Sequence, residues 1–344
     1  MGNLLTYSGI ITKIKAMASN YITVLDYEKI SNLESVPDFF SYLKSHSGYN
    51  DIFSGLEENN INRSQIEGIF INGLYKDFTR IYQFADMEQR KALDLIFFRY
   101  EIDILKSCLQ LAFSHEHNYE IPIFEDFFIK HLSINTNALS NVYSVDEFIS
   151  ALKGSDYYDL FTRLSSSNHI SSFDYEIQLD IYYYKKAWKL KDKLLKGDNL
   201  KVFTSSLGTE IDLQNIMWLY RSKRFFDMNS NDYYANLIPI YYKLKPDVLK
   251  KLVDSSSMDE FKNIILTTPY KDILVSDDIG TMESYLYHLL LKIQKYNSNK
   301  YPSSMAPVLY YLNHKSDELN RLTTALECIR YKLDPGVILK YVLQ

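Results

Sequence analysis

Ser144-Val-Asp-Glu147-Phe148 decides how this chain is read, because it occurs twice more: Ser35-Val-Pro-Asp38-Phe39 begins 109 residues before it and Ser257-Met-Asp-Glu260-Phe261 begins 113 residues after it. Each copy is Ser-x-x-acid-Phe, and an aliphatic follows four residues after the Phe (Leu43, Leu152, Ile265). A Tyr-x-Asp triplet comes next every time, at Tyr49/Asp51, Tyr157/Asp159 and Tyr270/Asp272. A repeat of this length is long enough for each copy to be a small helical domain, where a solenoid unit is shorter.

Ser-x-x-acid ahead of apolar residues spells a capping box. The Ser hydroxyl takes the N3 amide, the N3 carboxylate returns to the Ser amide, and the carboxylate also meets the positive end of the helix dipole. The motif alone is helix punctuation. Its information lies in the register.

Two further elements keep that register. Glu67, Glu176 and Glu283 each open a long apolar-periodic run, and Glu101-Ile-Asp103, Glu210-Ile-Asp212 and Glu318-Leu-Asn320 each precede another. Acids in these places are expected at helix starts. Within the runs, Ile66, Ile69, Phe70, Gly73, Leu74, Phe78, Ile81 and Tyr82 fall at three- and four-residue steps. So do Ile102, Leu105, Leu109 and Phe113, then Ile211, Ile216 and Leu219, and finally Leu319, Leu322, Leu326 and Ile329. That is the period of a buried helix face. No Asn-Gly or Asp-Gly hairpin joins alternating runs, so a sheet has little support. The expected fold is all-α, with helical modules at 1–119, 120–230 and 231–344. His115-Glu-His-Asn-Tyr119 with Pro122 and Asn229-Ser-Asn-Asp232 mark the boundaries, and Asn297-Ser-Asn-Lys-Tyr-Pro302 reads as a loop.

Composition narrows the class of function. Of the 344 residues, 46% are hydrophobic and 24% charged, an ordinary globular balance, while 8 Pro and 11 Gly favour long helices over a turn-rich β protein. The 30 Tyr, against 2 Trp, sit among abundant Asn, Ile and Lys and read as low-GC coding bias before any ligand surface. A net charge of −5 argues against a dedicated nucleic-acid binder. Lys185, Lys186, Lys189, Lys191, Lys193, Lys196 and Lys201 form a local basic run read as a solvated helix face, with an acidic partner or phosphate as its other use. Cys108 and Cys328 lie in helical patterns without CxxC spacing and read as reduced core thiols of a cytosolic protein, with a single long-range disulfide as the other reading. The N-terminus lacks a basic n-region and a long apolar h-region, so no signal peptide is expected. No apolar run approaches the ~20 residues of a membrane span.

The chemistry-bearing motifs are missing. Gly68 and Gly73 have P-loop spacing, but Leu74-Tyr75 follows where a Lys and a hydroxyl are needed. There is no G-x-G, no H-E-x-x-H and no C-x-x-C. His115 and His117 are the one close histidine pair and read as an exposed loop, since a structural zinc takes four ligands. Asp277-Asp278 reads as N-terminal capping. The Glu101/Asp103 and Glu210/Asp212 pairs and Glu318 read as structural or interface acids, because side chains two apart on a helix diverge. No catalytic, cofactor-binding or metal residue is expected.

Several of these segments, taken in order, carry a resemblance. They are Tyr7-Ser-Gly-Ile-Ile-Thr-Lys-Ile-Lys-Ala-Met17, Asp38-Phe39 with Leu43 through Tyr49, and Glu176-Ile-Gln-Leu-Asp180 with Tyr183. Glu210-Ile-Asp-Leu-Gln-Asn-Ile216 with Arg221-Ser-Lys223 follows, then Lys315-Ser-Asp-Glu-Leu-Asn-Arg-Leu322. The chain resembles, over essentially its whole length, the C subunit of bacterial and archaeal V/A-type rotary ATPases, whose eukaryotic relative is the V-ATPase d subunit. The resemblance implies three similar helical domains about a pseudo-threefold axis, forming a funnel on the cytoplasmic face of the membrane rotor ring. Its implied partners are the central-shaft subunits and the proteolipid ring, and its implied work is coupling ATP hydrolysis or synthesis to H⁺ or Na⁺ transport. It carries over no catalytic residue, cofactor or metal, and membrane association comes only through partners. The acid pattern departs from itself at Asn320, which replaces an Asp. The competing expectations are a helical scaffold with unrelated partners and an all-α metal-dependent hydrolase built on His115 and His117.

Overall fold

A helix starts wherever the repeated serine stands. The computed structural model describes residues 2–53, 63–114, 126–166, 171–225, 230–274 and 279–343. Ser35, Ser144 and Ser257 are N-caps with nearly the same extended backbone, φ −145°, −151° and −144° with ψ 160°, 160° and 161°. Each Oγ accepts the amide three residues on, at 3.3, 3.3 and 3.2 Å. The expected return bond from the N3 carboxylate to the Ser amide is replaced in all three copies. Asp38 accepts the Ser35 hydroxyl at 2.5 Å, Glu147 reaches the Tyr143 amide at 2.8 Å, and Glu260 takes the Ser256 amide at 2.7 Å. A glutamate is one methylene longer than an aspartate, so in the second and third copies the carboxylate overshoots the cap residue. Reciprocal capping boxes form at Thr23/Asp26 and Ser171/Asp174, where N3 is Asp.

From the amino end the helices are α1 Gly2–Ala18, α2 Val24–Ser31, α3 Val36–Ser45, α4 Asn50–Phe53, α5 Arg63–Phe84 and α6 Met87–Ser114. Next come α7 Asp126–His131, α8 Thr136–Leu139, α9 Val145–Ala151, α10 Tyr158–Ser165, α11 Ser172–Leu194 and α12 Gly197–Phe225. The last are α13 Ser230–Ala235, α14 Pro246–Asp254, α15 Met258–Leu266, a short 3₁₀ turn Lys271–Leu274, α16 Ile279–Lys300, α17 Ala306–Arg330 and α18 Pro335–Leu343. Among the described residues there is no strand, and the fold class is all-α. One order of elements recurs: a short Ser-capped helix (α3, α9, α15), a helix of 22, 23 or 22 residues (α5, α11, α16), then one of 28, 29 or 25 (α6, α12, α17).

The structure corrects two helix expectations. Glu101, Glu210 and Glu318 lie near the middle of α6, α12 and α17, not at their starts. The apolar period continues upstream of each acid through Leu93 and Phe97, Val202 and Leu207, or Val308 and Leu312, all buried. The stretch from Asn297 is not a loop: α16 runs on to Lys300, with Asn297 buried and its Nδ2 donating to Ser205 Oγ at 2.8 Å.

The chain divides into two compact units: Met1–Asp86 with Ser107–Ser155 and Val308–Gln344, and Met87–Lys106 with Asp156–Pro307. In the first, α5 packs on α1, α4 and α7, and α18 packs on α2. Its centre is aromatic, with the Phe53 and Phe70 rings edge to face at 5.7 Å. In the second, α12 lies against α11, α15 and α16 over Leu213, Ile216, Leu219, Leu252, Phe261 and Ile265. The repeated positions hold the same rank in both: Phe39, Phe148, Phe261, Leu43, Leu152, Ile265, Tyr49, Tyr157 and Tyr270 are each exposed by 1% or less. Burying one such apolar side chain contributes about 1.5–3 kcal/mol. Cys108 and Cys328 are free, buried thiols, and burial pushes Cys108 up to about 12. Among the described residues no helix is long and apolar enough to cross a membrane.

Candidate functional site

The tyrosines that follow the capped helices reach the acids in the middle of the longest ones. Tyr49 Oη donates to Glu318 Oε1, Tyr157 Oη to Glu101 Oε1, and Tyr270 Oη to Asp212 Oδ2. Each pair lies inside one unit. The order is regular: the second copy's tyrosine meets the first copy's acid, the third meets the second's, and the first meets the third's. Burial, then the adjacent carboxylate charge, pushes the Tyr49 and Tyr270 phenols far above their ordinary value, so both stay protonated donors.

Around two of the pairs the carboxylate has further partners. Glu318 Oε1 accepts Lys315 Nζ at 2.6 Å, and Oε2 accepts the Ile22 amide at 2.7 Å. Lys315 Nζ also donates to Tyr49 Oη at 2.9 Å and sits 4.0 Å above that ring's centroid. Asp212 accepts the amides of Tyr242, Lys243 and Leu244 at 3.2, 2.7 and 2.8 Å. Burial raises the Asp212 carboxyl in spite of those hydrogen bonds and the Tyr270 phenol. One turn on, Asn215 exchanges two bonds with the backbone of Ile238, at 3.0 and 2.9 Å. Together Asp212 and Asn215 pin the irregular Ile238–Leu244 stretch to α12. Gly208, one turn before Asp212, lets that stretch approach: a Cβ there would lie 2.5 Å from Cγ of Tyr242.

The paired acids diverge as the helical geometry requires. Glu101 is buried, while Asp103 meets Arg99 Nε at 3.5 Å. Arg99 Nη1 also donates to Glu210 Oε1 at 3.2 Å, and Glu210 accepts Tyr184 Oη at 2.9 Å. The third copy's Tyr270 therefore meets Asp212 and not Glu210 of the second copy, a switch by two positions that matching of the repeats misses. Asn320 lines a groove of about 370 Å³ between α5 and α17, with Glu67, Ile71, Leu74, Thr323 and Thr324.

The remaining candidates scatter. His115, His117, Asp277 and Asp278 lie outside the described residues, as do the module boundary at Tyr119 and Asn229 of the next. Ser230, Asn231 and Asp232 of that boundary open α13. Gly68 and Gly73 are inside α5, so their spacing belongs to a helix and not to a phosphate loop. Among the described residues no group of three or more His, Cys, Asp or Glu is placed to hold a metal ion. The lysine run is not a uniform solvated face. Lys185, Lys189, Lys193, Lys196 and Lys201 are exposed, but Lys191 is 3% exposed, with its ammonium 3.9 Å over Trp188 and 2.8 Å from Asp192. Lys186 is tied to Asp156 at 2.7 Å.

Sequence reasoning misses the tyrosine–acid pairing. The available signal is the tyrosine itself, kept in three copies beside a Ser, an acid and a Phe that helix capping and the core already explain.

The described residues form an all-helical body whose buried acids are held by tyrosines. The pattern that defines the ATP synthase (C/AC39) subunit family matches residues 10–341, and the chain belongs to that family. Relatives known as the C subunit of A-type ATP synthase match over most of its length. The one from Methanosarcina barkeri is 26% identical, covering 92% of this chain and 87% of its own. The one from Methanococcoides burtonii is 22% identical, over 98% and 94%, and the one from Thermococcus kodakarensis 21%, over 98% and 90%.

Proposed function

We propose that this chain is a non-catalytic central-stalk component of a V/A-type rotary ATPase, joining the rotating shaft to the membrane rotor ring so that ATP hydrolysis or synthesis is coupled to H⁺ or Na⁺ transport. The observation that carries this reading is the family match across residues 10–341. The non-catalytic part is supported by the fate of the repeated acids. Glu101, Asp103, Glu210, Asp212 and Glu318 are all held by tyrosines, cations or backbone amides of the fold, so they brace helices instead of converging on a cleft.

The proposed arrangement is the family's funnel of helical modules, 1–119, 120–230 and 231–344, about a pseudo-threefold axis. Its support is the recurrence of cap, tyrosine and acid in one order with similar helix lengths. The chain acts from the cytoplasmic face and reaches the membrane through its partners. Purified full-length chain should be retained by immobilised shaft subunits and should in turn recruit detergent-solubilised rotor ring. Retention by neither returns the chain to the class of helical scaffolds with other partners.

A further inference from the structure

The second unit carries a groove to which the stalk reading assigns no role. It lies between α10 and α11, encloses about 560 Å³, and has a floor of Leu160, Leu164, Ile181 and Tyr182. On α10, Leu160, Arg163 and Leu164 are spaced i, i+3, i+4 and so share one face. The adjoining face of that helix is anchored, with Phe161 buried and stacked on Tyr175 at 5.3 Å. On α11, Gln178, Ile181, Tyr182, Lys185 and Lys189 form a single stripe. From Gln178 to Lys189 the stripe runs about 17 Å, three helical turns.

The charge of this groove has one sign. Arg163 rims one wall, and Lys185 and Lys189, one turn apart, rim the other. All three are exposed, and among the described residues none of them is ion-paired. Among the described residues no carboxylate lines the groove. Lys186 also lines the groove, but its ammonium is already bonded to Asp156 at 2.7 Å and to Tyr182 Oη at 3.0 Å. The protein as a whole is acidic, at −5, so this cationic strip is a local exception.

We propose that this groove docks an acidic amphipathic helix of a partner protein, with apolar residues seated on Leu160, Leu164, Ile181 and Tyr182 and carboxylates one turn apart meeting Lys185, Lys189 and Arg163. Helix-in-groove recognition uses i, i+3, i+4, i+7 anchors, and a three-turn trough flanked by cations fits that pattern. A lipid surface fits less well, because a bilayer is flat while the apolar residues here form the floor of a concavity between charged rims.

The test uses full-length protein and a fluorescein-labelled helical peptide of Leu and Glu, with Leu at the seam and Glu pairs four apart beside it. Fluorescence anisotropy should report saturable binding that weakens as NaCl rises, as charge-steered association does. K185E/K189E should weaken it by about tenfold or more, as reversal of paired interface charges does. Leu164→Gln should weaken it at every salt concentration. K193E/K196E, on the same side of the groove in sequence but outside its lining, should leave it unchanged, and circular dichroism verifies that each variant is folded. The proposal is overturned if the peptide does not bind, if a Lys-for-Glu peptide binds equally, or if K193E/K196E weakens binding as much as K185E/K189E. It is overturned in favour of a membrane if K185E/K189E instead abolishes co-sedimentation with phosphatidylserine-containing vesicles.

Discussion

Lys315 and Glu318 form a buried ion pair that a phenol completes, and removing different members has different costs. Tyr49→Phe takes one donor from a carboxylate that keeps Lys315 and the Ile22 amide, so the expected loss is about 1–3 kcal/mol. Glu318→Ala strands the Lys315 ammonium at 4% exposure and should cost about 3–5 kcal/mol. Urea unfolding of the two variants should rank them in that order. Gly208→Ala puts a methyl against the Tyr242 ring, and overpacking of about 1–3 kcal/mol should outweigh the gain of about 1 kcal/mol in helix propensity. A variant more stable than the parent would mean that Tyr242 moves away freely. Asp26 is a pH probe. Burial raises its carboxyl, but bonds from the Tyr42 hydroxyl, the Thr23 hydroxyl and the Thr23 amide, with His46 nearby, hold it down at about 2. Since the folded value lies below the unfolded one of about 3.9, its contribution is complete above that value and is lost as pH falls towards 2. Asp26→Asn should therefore lower stability at pH 6 and flatten the pH dependence below about 4.

At the scale of elements, the Ser caps set where the short helices begin, and this was legible because a cap is a local bargain among four residues. Ser144→Ala should cost about 1 kcal/mol, read as a shift in denaturation midpoint without a change in slope. The same substitution at Ser171 removes a reciprocal box and should cost more. The beginnings of α6, α12 and α17 were not legible. An acid beside an apolar run reads as a first turn by its dipole preference, and nothing local says that Glu101 will instead be buried against a tyrosine 56 residues further along the chain. The run from Asn297 misleads in the same way. Its polar composition suggests a loop, yet Asn297 is buried with a partner on α12, and tertiary contact overrides local propensity.

For the whole molecule, the all-α class and the family membership followed from periodicity and from segment order along the chain. The stalk reading predicts that purified full-length chain hydrolyses no ATP, measured by phosphate release with and without Mg²⁺. Turnover that survives Glu101→Gln, Glu210→Gln and Glu318→Gln would also show that those acids are not its catalysts. Turnover lost with any one of them would reopen the catalytic reading of the repeated pairs.

Periodic helix faces, capped serines and the residues of the core can be read from the chain alone, because they depend on neighbours within a few turns. Which acid meets which tyrosine is settled by the packed fold. Glu318 and Tyr49 are 269 residues apart, and in the second copy the bond falls to Asp212 because the same carboxylate also receives the amides of residues 242–244. Such a choice depends on the backbone that arrives beside the helix, which no local pattern encodes. The lysine run divides for the same reason: Lys191 is a buried cation over Trp188, while Lys185 and Lys189 are left on the rim of a groove.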